Sequence, residues 1–279
     1  MGLKEQLAIA TNEMKGFDIP SLPKELMELK KLFRNAKFIN TNDVANIIKK
    51  NTVLSGELIK IANQKQFKPK GAEDVVSVKA AVESLGLEKI ETLILGLAFK
   101  SLVSGEVFDD LMDHTVAVAN VSAELTQFLT DVSAEEAYLA GLFHNSGAII
   151  MAMKFDGYDK VFYNTISNSY SGIAREMEKF KMHHGVFGLL VAKEWTLSSI
   201  YSQVILMHHQ RDLTIIKDDK IRTLVYIVQL ANSIVAESLF NGYLGDEVGV
   251  MKKNAMVDLM VSSDDMSEIR RALMTGNLV

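Results

Sequence analysis

The chain has 279 residues, 48% of them hydrophobic and 23% charged, with a mean hydropathy of +0.12. That size suits one large or two small domains, and that much apolar side chain excludes a disordered protein. Thirty basic residues against 35 acidic ones give a formal charge of −5, without the clustered Lys and Arg that a primary nucleic-acid binder needs. There is no cysteine, which excludes disulfides, thiolate zinc sites, cysteine-held iron–sulfur clusters and cysteine nucleophiles.

The first residues, MGLKEQLAIATNEMKG, lack a continuous apolar core and a cleavage signature. The longest apolar stretch, Leu93 to Phe99, is far short of the roughly 20 residues that span a bilayer. The expectation is a cytoplasmic protein with no membrane contact. All three prolines, Pro20, Pro23 and Pro69, lie in the first quarter, so nothing later carries the strongest helix breaker.

Helical periodicity runs through almost the whole chain, and strict alternation is nearly absent, which predicts an all-α fold. Ser21 is placed to cap a helix with Pro23 in its first turn, and Leu22, Leu26, Leu29 and Phe33 form its apolar stripe. Thr41 or Asn42 is placed to cap the next, where Val44, Ile47 and Ile48 share a face, and a third carries Leu54, Leu58 and Ile61. The polar stretch from Asn63 to Asp74, with Pro69 and Gly71, reads as a loop. Asp74 then caps a helix burying Val78, Ala81, Val82 and Leu85, and Gly86 ends it. Ile90 to Leu102 is apolar nearly all round and belongs at a centre.

In the second half, Asp113 is the expected cap of a long helix reaching Phe128. Ser133 and Glu136 have the spacing of a capping box that opens a helix running to Met151. Further helices are expected near 170–180, over His184–Trp195, Ser198–His209 and Lys220–Phe240, with two short ones around Met251–Met260 and Ser263–Leu273. Residues 1–104 are expected to form an N-terminal helical lobe, 105–245 a second lobe, and 246–279 a helical extension, with a seam near Gly105.

All six histidines lie beyond residue 113: His114, His144, His183, His184, His208 and His209. Most fall at helix ends, so they could converge. Imidazole is a common metal ligand and titrates near neutral pH. His144, Asn145 and Ser146 interrupt a very apolar frame, AYLAGLFHNSGAIIM. Polar groups in such a frame need partners or a ligand, and Gly141 and Gly147 beside them allow close backbone approach. Lys65, Lys68 and Lys70 around Phe67 read as a solvated loop. The methionines of the tail read as core filling or as an adaptable surface.

These fragments resemble the HD superfamily of metal-dependent phosphohydrolases, and within it the HDOD branch (HD-related output domain) of bacterial signalling proteins. LPKELMELKKL, VLSGELIKIAN and SVKAAVESLGLEKIETLIL resemble its N-terminal part; DHTVAVA, EEAYLAGLFHNSGAI, HHGVFGLLVAKEW and VILMHHQ resemble its C-terminal part. The likeness runs from about Ile19 to Ser238. It implies an HD-like helical bundle with an N-terminal helical lobe, and a degenerate metal site. His114 falls on the first histidine of HD enzymes, His144 and Asn145 on the His-Asp pair, His184 and either His208 or His209 on later histidines, and Asn232 on the last aspartate.

Both carboxylate positions are therefore asparagine. An amide oxygen is a weak, uncharged ligand and cannot act as a general base. The resemblance then implies a non-catalytic regulatory module. Its partner would be a signalling protein, with a small ligand or a second copy of the chain as further options, and no cofactor is expected. The alternative is a divalent-metal phosphohydrolase acting on a nucleotide or phosphate ester. The Gly-Tyr-Pro triplet of the HD-GYP cyclic-dinucleotide phosphodiesterases is absent, and the nearest string, Asn241-Gly242-Tyr243-Leu244, reads as a helix-ending turn.

Overall fold

A computed structural model describes residues 2–102, 106–129, 131–239 and 245–275. The expected seam at Gly105 and the string from Asn241 to Leu244 lie outside them. The described residues form helices and no strand, as the periodicity predicts. The chain divides into two compact units, one of Pro20–Ser104 and one of Met1–Ile19 with Gly105–Val279. This departs from the expected partition at both ends. The described residues of 1–19 group with the later unit, as do those of 246–275.

The smaller unit contains α2 (Lys24–Asn35), α3 (Thr41–Ile48), α4 (Thr52–Asn63), α5 (Val78–Leu85) and α6 (Leu87–Leu102). The predicted stripes pack as its core: Leu26, Leu29, Val44, Ile48, Leu54, Leu58, Val82 and Leu93 are fully buried, each such side chain stabilising by about 1.5–3 kcal/mol. The caps fall elsewhere than expected. Pro23, with an extended ψ of 145°, precedes α2, so the helix starts after it and Ser21 is exposed. Asn40 caps α3 and Asn51 caps α4. Ser77, not Asp74, caps α5 through Ala80 N–H. Asp74 instead accepts from Lys68 Nζ at 2.6 Å. Asn63 pins the intervening loop, its amide exchanging two 2.7 Å bonds with the Val75 backbone. Gly86 ends α5 at φ 87°, a left-handed value that favours glycine.

The larger unit begins with α1 (Leu3–Glu13), which packs on α12 (His184–Glu194) and buries Ala10. Its core is α7 (Glu106–Leu125), packed on α8 (Ala134–Phe143) and α14 (Asp219–Leu239). Asp113 lies inside α7 rather than at its start. Ser133 and Glu136 form the predicted capping box. The expected single helix to Met151 is two, α8 and α9 (Ser146–Lys154), broken where Asn145 adopts φ −98°, ψ 13°. α10 (Tyr158–Ser167) and α11 (Ser169–Phe180) pair with each other, and α13 (Ser199–Met207) follows α12. At the tail, α15 (Asp246–Asp258) and α16 (Ser263–Met274) lie against α14. Met251, Met266 and Leu273 are buried, and Glu237 of α14 binds Lys252 at 2.6 Å as well as Arg270.

Candidate metal centre

Two glycine contacts bring helices close enough to assemble the site. A Cβ on Gly147 of α9 would lie 1.9 Å from the His184 carbonyl oxygen and 2.4 Å from the Gly188 nitrogen. A Cβ on Gly141 of α8 would lie 2.7 Å from Ala119 Cα on α7. Only hydrogen fits at either position, so α9 seats against the first turn of α12, and α8 against α7.

Between these helices the histidines gather. His144 sits at the end of α8, His184 at the start of α12, His208 at the end of α13, and His209 follows it. His184 and His144 are fully buried and His208 is 2% exposed. The ring of His208 lies 5.0 Å from His144, 5.0 Å from His184 and 4.2 Å from His209. Ligand nitrogens of His184, His208 and His209 all lie within 4.8 Å of one another.

The hydrogen positions follow from the partners. A carbonyl oxygen only accepts, so His208 Nδ1–H donates to Ile205 O at 2.8 Å and His144 Nδ1–H donates to Gly141 O at 2.5 Å. His184 Nδ1 faces both Glu176 oxygens at 3.0 Å and donates to that carboxylate, while the His184 backbone N–H donates to Glu176 Oε2 at 2.8 Å. Each of these rings, when neutral, therefore turns an Nε2 lone pair inward. His144 Nε2 is buried with no hydrogen-bond partner. His184 Nε2 stands 3.0 Å from His208 Nε2 and 3.2 Å from His209 Nε2. The His184 and His208 lone pairs repel at that separation; their contact becomes favourable only with positive charge between them, either a proton or a metal cation.

Burial opposes the proton on His114, His144, His208 and His209. It pushes His144 down to about 3 and His114 to about 4, and holds His208 and His209 well below the ordinary histidine value, with neighbouring imidazoles adding to the effect at all but His114. Neutral imidazole is the form that binds metals. Ligand nitrogens around a tetrahedral zinc, at Zn–N of about 2.0–2.1 Å, stand about 3.3–3.4 Å apart, close to the spacings here.

The remaining expected site residues are placed differently. His114, in the middle of α7, donates from Nε2 to Asn232 Oδ1 at 2.7 Å, so these two engage each other. The His114 ring lies 6.5 Å from His144. Asn145 is buried at the α8–α9 break. His183 precedes α12, its ring 6.4 Å from His184.

Glu176 is the important residue that the sequence did not single out. It falls in the helix expected near 170–180, with no chemical role read for it, and it is fully buried. It also accepts from Tyr158 OH at 2.9 Å and Thr165 Oγ1 at 3.3 Å. Burial alone would raise its carboxyl, but the charge and bonds of His184 outweigh that and hold it below the usual range. Ser169, likewise not singled out, bonds His209 Nδ1 through its hydroxyl at 2.6 Å. Such outer partners fix ring orientation and tautomer in metal sites.

A family model for the HDOD domain matches residues 19–211. No curated protein matches the chain in sequence. Among solved structures, an HDOD domain protein of Geobacter sulfurreducens aligns over 98% of both chains at 20% identity with a TM-score of 0.67. A protein of Shewanella amazonensis SB2B, provisionally named a metal-dependent phosphohydrolase, aligns over 99% of both at 19% identity with a TM-score of 0.68. A protein of Marinobacter aquaeolei VT8, provisionally named for signal transduction, aligns over 99% of this chain and 65% of its own at 18% identity, TM-score 0.63. These likenesses show the shared fold.

Proposed function

The chain belongs to the HDOD domain family, and from that premise we propose that it is a non-hydrolytic regulatory module of a bacterial cytoplasm, whose buried imidazole cluster holds one divalent transition-metal cation. The observation that carries this reading is the convergence of the His184, His208 and His209 nitrogens within 4.8 Å, where the donor accounting leaves inward lone pairs on His184 and His208. His144 supplies a fourth, unpartnered nitrogen beside them. Neutral imidazoles favour zinc, copper, nickel or cobalt over magnesium and calcium, which prefer oxygen. Bound there, the cation supplies charge that ties the ends of α8, α12 and α13 together.

Hydrolysis is disfavoured on two grounds. HD chemistry uses carboxylates to neutralise the metals and hold the attacking water, and the corresponding positions are Asn145 and Asn232, the latter occupied by His114. Moreover, His144 and His184 are fully closed to solvent, His208 is 2% exposed and His209 is half-buried, an enclosure suited to an ion rather than to a phosphate ester. The module then acts through a protein partner, a reading supported by the signalling name of the Marinobacter relative.

The test is equilibrium dialysis of the purified chain against Zn²⁺ and Co²⁺, alongside a phosphatase and phosphodiesterase screen. One bound ion per chain, abolished in His184→Ala, and no turnover is the expected result. Turnover that a chelator removes overturns the non-hydrolytic reading, and absence of binding overturns the metal reading. A pull-down from the native cell names the partner.

A further inference from the structure

The C-terminal helices lie beyond the 19–211 match to the HDOD domain, yet one of their side chains reaches the segment that holds His209. Glu247, in the first turn of α15, is half-buried. Its Oε2 accepts from the Tyr170 and Ser171 backbone N–H groups at 2.9 and 3.0 Å, and its Oε1 accepts from Ser171 Oγ at 2.9 Å. Those are the second and third residues of α11. The first N–H groups of a helix have no partner within it, so a carboxylate from 76 residues downstream does here what an N-cap side chain usually does. A negative charge at a helix N-terminus also suits the helix dipole.

The first residue of that same turn is Ser169, which is buried and whose hydroxyl bonds His209 Nδ1 at 2.6 Å. Arg211, two residues beyond His209, places its guanidinium 6.0 Å from the centre of the Tyr170 ring. The start of α11 is thus gripped by α15 on one side and touches the His209 segment on the other. α15 in turn is fastened to α14 by the Lys252–Glu237 pair at 2.6 Å.

We propose that Glu247 is a positioning residue for His209: by capping α11 it fixes Ser169, and the Ser169 hydroxyl holds the His209 ring in one orientation, Nε2 toward the His184 Nε2 lone pair, where a single tautomer suits both neighbours. The C-terminal extension thereby sets the geometry of the imidazole cluster without touching it. A partner that draws α15 away would release His209, which gives the regulatory module a route between its surface and its buried site. The metal consequence rests on the metal reading above; the positioning of the ring does not.

The experiment uses the full chain. Long-range ¹H–¹⁵N NMR of the metal-free protein reads the His209 ring nitrogens, assigned by comparison with His209→Gln. The parent is expected to show a single tautomer. Glu247→Ala and Ser169→Ala should both shift it toward a two-tautomer average, and their double variant should match Ser169→Ala alone, because the two act through one link. Glu247→Gln keeps an oxygen that accepts from the two N–H groups and should restore the parent signal. Zn²⁺ affinity should fall about three- to tenfold in Glu247→Ala, less than or equal to the 10–100-fold typical of direct outer partners. An unchanged His209 signal in Glu247→Ala, a mixed tautomer already in the parent, additive effects in the double variant, or no rescue by Gln each overturns the proposal. A parent chain that binds no Zn²⁺ removes the metal reading while the ring signals still decide the positioning.

Discussion

The two units differ in what they bury. Among the described residues of 20–104, Glu25 is the one buried polar side chain in an otherwise apolar core. The unit of 1–19 and 105–279 buries His114, Asn120, His144, Asn145, Glu176, His184, His208 and Gln229 among others. Burying such groups costs free energy unless each finds a partner, and here part of the partnering is done by other polar groups of the same interior: Glu176 with His184 and His114 with Asn232. The small unit uses its interior for cohesion. The larger one spends stability on a polar network, which is the mark of a site.

The sharpest way to break this contrast is to remove Glu176. Glu176→Ala leaves His184 Nδ1, Tyr158 OH and Thr165 Oγ1 without their carboxylate. A loss of about 3–5 kcal/mol is expected, as for breaking a buried pair, together with a fall in Zn²⁺ affinity of about 10–100-fold. Urea unfolding and zinc titration measure the two. A stability loss below about 1 kcal/mol would mean the network is not cooperative.

Leu58→Ala is the counterpart in the small unit. Leu58 is fully buried on α4, so truncation should cost about 3 kcal/mol, within the range for core leucines. Zinc affinity of the folded protein should stay as in the parent. A parallel drop in affinity would show that the two units are not functionally separate.

Between pH 7 and 5 acid should act through the histidines of one unit, with a smaller effect per step. Histidine titrates near 6.5 when unfolded, whereas burial brings His114 to about 4 and His144 to about 3 in the fold. Between pH 6.5 and about 4 the unfolded chain binds these protons and the folded chain does not, so stability falls as pH falls. The slope is at most about 1.4 kcal/mol per pH unit for each histidine. Residues 20–104 contain no histidine. Hydrogen exchange at pH 7, 6 and 5 should therefore show protection falling in helices α7 to α14 before it falls in α2 to α6; equal loss in both would contradict the assignment.

Some features were legible because they are local. The Ser133–Glu136 box, the glycine at 86 and the apolar stripes of α2 to α6 depend on spacings of three and four residues, which the helix imposes whatever surrounds it. Others were legible in principle and missed. Tyr158, Phe162 and Thr165, all buried on α10, have helical spacing inside a polar-looking stretch. Leu7 and Ala10, three residues apart on α1, follow the same rule in a stretch that reads as polar. The caps at Ser77 and Asn40 show a different limit. Several cap-type residues stand within four positions of one another, and those that do not cap bond elsewhere, Asp74 with Lys68 and Thr41 with Glu83.

The sequence by itself determined that the fold is all-helical, which residues line most of the apolar stripes, and that the chemistry-bearing imidazoles all lie after residue 113, because composition and periodicity are properties of the chain. Only the tertiary structure decided which of those imidazoles meet. His184, His208 and His209 converge while His114 turns to Asn232, Glu176 supports His184, and Glu247 caps a helix 76 residues upstream. These outcomes depend on which helices cross and at what distance. That is set by close contacts such as Gly147 on His184, and no spacing along the chain encodes it.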